Sequence, residues 1–215
     1  MPETDESQRQ RRDAIQTQAW KLMAERGHTG VTMRELSKRT GISTRTLYEM
    51  YGNKDALLGE AFRNRLAIAF GHFEAGITAR GLEHLLQLNA VIVRSIVNSE
   101  NFSRAYASVL ASNRISIYTI ETPVVHFRQC LQEMKDEGGF LPWVDLDLTA
   151  RRLLMGQNAL MIQWGNGTIS GGNLEDLYNL ALCELLIPLT TGPVHDELRT
   201  RLQALHRRFV GVGVF

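Results

Sequence analysis

In this 215-residue sequence the side chains with the most specific chemistry lie close together: Thr44, Arg45 and Tyr48. On a helix beginning at Thr44 they fall at about 0°, 100° and 40°, while Thr46, Met50, Leu47 and Tyr51 fall at about 200°, 240°, 300° and 340°. One side is apolar and packs, and the other offers two hydroxyls and a guanidinium. A guanidinium makes a two-pronged contact with guanine, a threonine meets a base edge or a thymine methyl, and a tyrosine hydroxyl reaches a phosphate. An exposed amphipathic helix with no ligand has the same pattern, so the surrounding elements must separate the two readings.

Those elements are short and sharply punctuated. Ile15, Ala19, Leu22 and Met23 mark a first helix that ends at Gly27. Thr32-Met33-Arg34-Glu35 has the form of a capping box, in which the Thr32 hydroxyl and the Glu35 carboxylate each satisfy a backbone donor. The helix it opens reaches about Thr40, where Gly41 supplies a left-handed residue and Ser43 caps a third helix lasting to about Tyr51. Two short helices joined through Thr40-Gly41-Ile42-Ser43 form a helix-turn-helix, which presents its second helix to the DNA major groove. Gly52-Asn53 breaks the chain again. Lys54 then opens a longer helix, where its ammonium and the free N–H groups of the helix start make one anion site.

Charge follows the same division. The whole chain has a net charge of +1, yet residues 7–65 carry twelve basic against six acidic side chains and residues 66–215 carry an acidic excess. A local positive field of this kind suits a polyanion, although a solvated helical surface can also show it. With 44% apolar and 22% charged residues the sequence reads as globular and not as disordered or low-complexity. Cys130 and Cys183 are too few for a disulfide framework and read as small hydrophobes. The longest charge-free run, 153–174, is interrupted by Gly156, Gln157, Asn158, Gln163, Gly165 and Asn166, so no membrane span is expected. No apolar run follows Arg9, Arg11 and Arg12, so no export signal is expected and the location is read as cytoplasmic. Gly-x-Ser-x-Gly, His-Glu-x-x-His and a Walker loop are all missing, so the expectation is no enzyme, no cofactor and no metal.

The run from Thr32 to Leu57 resembles the DNA-binding signature of the TetR (tetracycline-repressor-like) transcriptional regulators. The resemblance rests on Thr32, Gly41, Ser43, the pair Leu47-Tyr48, the aromatic Tyr51, and Asn53-Lys54-Asp55 followed by Leu57. It departs at Ser37 and Thr40, where alanine is usual, at Arg45, often glycine, at Met50, often histidine, and at Tyr51, usually phenylalanine. The resemblance implies that Tyr48 contacts the DNA backbone, that Lys54 holds a phosphate, and that Thr32 or Arg34 touches the flanking strand. With Ser43, Thr44 and Arg45 these make up the expected DNA-binding set. The expected organisation is all-α: a tail over 1–8, a DNA-binding domain over 9–62 with its motif at about 32–51, and a helical effector-binding and dimerisation domain over 63–215. The expected partners are a palindromic double-stranded operator, a second copy of the chain and a small-molecule effector.

Further helices are expected at about 82–98, 101–112, 123–137, 145–164, 173–187 and 194–209, the third of them capped by Thr122 and the fifth ended by Pro188. The helix at 145–164 is apolar on two sides, with Leu146, Ala150, Leu153, Leu154, Met161 and Trp164 on one and Leu148, Met155, Ala159 and Ile162 on the other. The next helix is apolar all round. Such helices belong in a core or an interface. By resemblance the two would pair with their symmetry mates, through Leu148, Met155, Gly156, Leu177, Leu182 and Leu185. An intramolecular core is the other reading. For an effector pocket Phe102, Tyr106, Phe127, Met161 and Trp164 are expected as walls and His126 and Asn158 as polar points, suiting an uncharged, partly apolar compound. The helix from Lys54 runs towards that domain, so a ligand could change the separation of two recognition helices. Two other functions remain open: a constitutive DNA-binding dimer without effector, and a helical interaction module with a vestigial DNA surface.

Overall fold

The computed structural model describes residues 5–111 and 121–210. Ten α-helices occur among them: α1 (Asp5–Gly30), α2 (Met33–Thr40), α3 (Thr44–Tyr51), α4 (Lys54–Ala75), α5 (Gly81–Asn98), α6 (Glu100–Ala111), α7 (Glu121–Asp136), α8 (Leu146–Gly165), α9 (Leu174–Leu186) and α10 (Gly192–Phe209). No strand forms among the described residues; the nearest thing is one isolated bridge between Phe140 and Thr190. The all-α expectation therefore holds. Two boundaries differ. Residues 5–8, expected in a tail, lie in the first turn of α1, where Glu6, Ser7 and Gln8 are exposed and polar side chains are carried at no cost. Helix α7 already includes Glu121, so Thr122 lies inside it and is not its cap. Pro188 sits in a 3-10 turn directly after α9, which ends at Leu186.

The helix-turn-helix forms for the reasons its residues suggest. Thr32 Oγ1 accepts from the Glu35 amide at 3.1 Å, and Ser43 Oγ accepts from the Thr46 amide at 3.1 Å, each cap contributing about 1 kcal/mol. The other half of the capping box is replaced: the Glu35 carboxylate turns to Arg26 at 3.6 Å and Arg39 at 3.9 Å. Arg39 also grips Glu25 with both terminal nitrogens, at 3.1 and 2.6 Å, fastening α2 to α1. Gly41 takes φ 71°, and its amide bonds Ser37 O, which closes α2 and frees the chain to turn into α3.

Two apolar cores result. Ile15, Leu22, Leu36, Leu47 and Leu57 fill the first, each wholly buried, and Ala105 and Val109 of α6 join them. Burying each leucine contributes about 1.5–3 kcal/mol over leaving it exposed. The second core is built from α4 to α10 around Phe127, Leu131, Met134, Leu174 and Leu186. Because α6 supplies residues to the first core and packs on α8, the three-helix head is fixed to the rest of the molecule by α6 as well as by the covalent run of α4.

The α6–α8 crossing is close. A methyl group added at Gly165 would lie 2.4 Å from Ala107 Cβ, an atom that cannot swing aside. Gly165→Ala is therefore expected to cost about 1–3 kcal/mol, read as a lower urea midpoint at unchanged slope.

Candidate nucleic-acid interface and adjoining cavity

Leu47 and Tyr51 pin α3 to the head, and this leaves its opposite face outward. Arg45 and Tyr48 stand on that face, Tyr48 being 53% exposed, with Thr44 half-buried beside them. Thr32 and Arg34, at the start of α2, are exposed, as is Ser43. The sequence-derived set is thus brought to one end of the head, with two qualifications. The Ser43 hydroxyl is already engaged as the α3 cap, and it lies 2.9 Å from Thr46 Oγ1. Lys54 is half-buried and donates to His28 O at 3.1 Å, closing the end of α1 with one of its three N–H bonds. The donors expected to be open at the α4 start are also partly used, because Asn53 Oδ1 accepts from the Ala56 amide at 2.8 Å. Asn53, read from sequence only as a breaker, is the cap of α4.

Sequence reasoning missed Glu49. At about 140° around α3 it shares the outward face, and its carboxylate accepts from Arg45 Nε at 2.9 Å. The pair is highly exposed, Arg45 by 88% and Glu49 by 60% of their side chains, so separating it costs less than about 1 kcal/mol. Its spacing of four residues was the available signal. Arg12 is bound to the head itself: it meets Glu60 at 2.7 Å and lies over the Tyr51 ring, joining α1 to α4. Glu60 is the main cause of its raised pKa, in keeping with a permanently charged guanidinium.

Behind the head lies a cavity of about 550 Å³. Its walls come from α1 (Asp13, Gln16, Thr17, Trp20), from α4, and from α5 to α9. Four of the seven residues expected at a pocket line it: Phe102, Tyr106, Asn158 and Met161. The other three do not. His126 stands behind the wall with its ring 4.9 Å from that of Phe70, Phe127 is wholly buried among core side chains, and Trp164 is packed beneath the Arg104 guanidinium at 4.8 Å. Helical spacing placed these three near the middle of the domain and could not tell a cavity wall from the core behind it. Trp20 was the overlooked signal, since it lies one position off the Ile15–Ala19–Leu22–Met23 stripe and has no place in the head's own centre.

The cavity's buried end is polar but neutral. Gln157 Nε2 donates to Asn89 Oδ1 at 2.7 Å, Asn89 Nδ2 donates to Asn179 Oδ1 at 3.1 Å, and the Tyr178 hydroxyl donates to Gln157 O at 3.0 Å. Burial pushes the Tyr178 and Tyr106 hydroxyls well above the usual tyrosine range, so both stay protonated. Charged lining groups, Asp13, Arg65 and His72, are on exposed positions at the rim. Among the described residues no group of three His, Cys, Asp or Glu is placed to hold a metal. Cys130 and Cys183 are buried, and burial raises the Cys183 thiol to about 11, which suits a small hydrophobe.

The surface expected to dimerise divides in the same way. Leu148 and Met155 are each 59% exposed on α8, and at Gly156, between that face and the core, a methyl group would meet open space. Leu185 is half-buried. Leu177 and Leu182 face the protomer's own core, Leu182 being 1% exposed, so neither offers a surface to a partner. Helix α9 is apolar all round because it is largely enclosed by α5, α8 and α10. No helix among the described residues is long and apolar enough to cross a membrane.

Residues 15–61 match the family model of bacterial regulatory proteins, tetR family. No curated protein matches the sequence. Among solved structures, a TetR transcriptional regulator from Rhodococcus sp. RHA1 is similar with TM-score 0.67 at 21% identity, covering 83% of this chain and 97% of that one. The fatty acid degradation regulator FadR from Bacillus halodurans gives 0.62 at 16% identity, covering 79% and 97%. SmeT, the repressor of the Stenotrophomonas maltophilia multidrug efflux pump SmeDEF, gives 0.58 at 18% identity, covering 85% and 92%.

Proposed function

We propose that this chain, whose residues 15–61 match the tetR family and whose fold is that of solved tetR-type regulators, is a dimeric, sequence-specific repressor whose grip on a palindromic operator is released by a small molecule. The observation that carries this reading is the outward face of α3, where Thr44, Arg45 and Tyr48 are held clear of the core by Leu47 and Tyr51 behind them. In the major groove Arg45 takes a guanine and Thr44 a neighbouring base edge. Tyr48, Lys54, Thr32, Arg34 and the Ser43 end of α3 sit against phosphates, fixing register. One eight-residue helix reads few base pairs, so two copies related by a dyad supply the specificity. Leu148 and Met155 on α8 supply an apolar surface for that pairing, with Gly156 allowing close approach and Leu185 at its margin.

The cavity supports the effector part of the reading. Its walls include α1 of the head and the stretch of α4 from Ala61 to Phe73, which continues the helix that starts at Lys54, so an occupant that favours one position of these helices changes the spacing of the two α3 helices on DNA. An uncharged, partly apolar molecule fits a lining of this chemistry, and the site of action is the cytoplasm.

The test is selection of duplexes from a random library by the purified chain at near-physiological salt. An inverted repeat among the bound sequences is the expected result. Weak, salt-sensitive binding with no enrichment would reduce α3 to an exposed amphipathic helix and overturn the proposal.

A further inference from the structure

Accepting the cavity as the effector site, we propose that its occupant acts on the recognition helix through a polar seam between α1 and α4, in which Gln16 is the positioning residue that ties the cavity wall to Glu60, Arg12 and the Tyr51 end of α3.

Arg12, Gln16 and Trp20 follow one another at intervals of four along α1, and Glu60 and Asn64 are spaced in the same way on α4, so each set forms a row on one side of its helix. Three hydrogen bonds join the rows. Arg12 Nη1 donates to Glu60 Oε1 at 2.7 Å, Gln16 Nε2 donates to the same oxygen at 3.1 Å, and Asn64 Nδ2 donates to Gln16 Oε1 at 3.0 Å. Gln16 is 5% exposed, a buried polar side chain beside Ile15 and Ala19 of the head's apolar core. Its amide is donor to one α4 residue and acceptor for another, so a shift of α1 against α4 disturbs two bonds at once.

The seam has two ends. At one, Gln16 and Asn64 belong to the cavity wall. At the other, the Arg12 guanidinium lies 5.4 Å from the centre of the Tyr51 ring, and Tyr51 is the last residue of α3, buried with 7% exposure. Glu60 stands between them, holding Arg12 and Gln16 with a single oxygen. An occupant that parts the α1 and α4 walls lengthens the Gln16 bonds and leaves Glu60 held by Arg12 alone. The guanidinium and the Tyr51 ring beneath it then shift together, and α3 loses its fixed aim. Movement of α4 as a rigid rod has no need of Gln16, so variants of the seam separate the two routes.

The experiment titrates the full chain at pH 7 with three uncharged, partly apolar probes, 2-naphthol, 4-phenylphenol and N-phenyl-1-naphthylamine. Binding is measured by calorimetry with and without a saturating duplex that carries the selected operator. By reciprocity a probe that releases DNA binds more weakly when operator is present, and the probe with the largest such factor, expected to be about fivefold or more, is carried forward. Gln16→Met keeps the length of the side chain and removes both amide bonds; the factor is expected to fall below about twofold. Glu25→Gln loosens the head at its exposed pair with Arg39 instead and is expected to keep the parent's factor, which separates loss of the seam from general loss of head stability. Asn64 is exposed, so Asn64→Ala serves where Gln16→Met fails to fold, and it is expected to reduce the factor to about half or less. Gln16→Met with the parent's factor, or Asn64→Ala with it where the first variant does not fold, overturns the seam and leaves the effector reading standing. If the probes bind and operator changes none of their affinities, or if none of the three binds, the cavity does not govern DNA binding, and the release by a small molecule falls together with the seam.

Discussion

Arg45→Ala lowers affinity for the selected operator by about 5- to 150-fold, the range that corresponds to losing one bidentate guanine contact of about 1–3 kcal/mol. Affinity for a scrambled duplex falls far less, because there the guanidinium contributes only one positive charge. The contrast follows from geometry. Arg45 is held off the core by the Leu47–Tyr51 side of α3, and its ion pair with Glu49 at 2.9 Å is so exposed that surrendering it costs little. Glu49 then faces the groove as an acceptor, able to receive a hydrogen bond from the N4 amino group of a cytosine on a neighbouring pair. Fluorescence anisotropy on operator and scrambled duplexes, at two salt concentrations, measures both effects. Equal losses on the two duplexes would place Arg45 on a phosphate.

Replacing Leu148 and Met155 together by glutamate is expected to give a monomer in sedimentation velocity and to weaken operator binding by more than about a hundredfold at fixed chain concentration. Both side chains are 59% exposed and lie seven residues apart, so they fall on one face of α8. Exposed Arg152 and Ala159 continue that face. Carboxylates forced into an apolar contact lose solvent without a partner, a cost of several kcal/mol. Losing the pairing also removes the second recognition helix from the complex, so the two half-sites no longer act as one ligand. Because neither side chain is packed within its own protomer, the thermal melt of the monomer should keep a helical circular-dichroism signature. An unchanged mass would put the pairing surface elsewhere.

Most of the fold was legible because its local signals agree with one another. Thr32 and Ser43 cap through their own hydroxyls and Gly41 turns because it lacks a side chain, so all three act locally, and the stripe Ile15–Ala19–Leu22–Met23 belongs to one helix packing on near neighbours in sequence. What was not legible depends on distant packing. Leu177 and Leu148 look alike in sequence, each an apolar residue on a helix with more than one apolar side; the enclosure of α9 by α5, α8 and α10 buries the first, while the second stays open on α8. Phe127 and Phe102 present the same difficulty at the cavity, one a core residue and the other a wall. The Asn53 cap was readable in principle, since an asparagine before Lys54-Asp55-Ala56 is a good helix start; treating it as a mere breaker overlooked its side chain.

The position of Trp20 bears on how such regulators can be recombined. Reading head and sensing body look like interchangeable modules, with a seam near residue 62, but in this molecule the chamber is walled partly by Asp13, Gln16, Thr17 and Trp20 of the head. A hybrid that grafts another protein's head onto residues 63–215 would carry a breached chamber. It could inherit a new operator and still lose its inducer, so a working exchange would have to bring these four α1 positions, with Ala61 and Phe62 of α4, along with the body or graft α2 and α3 alone.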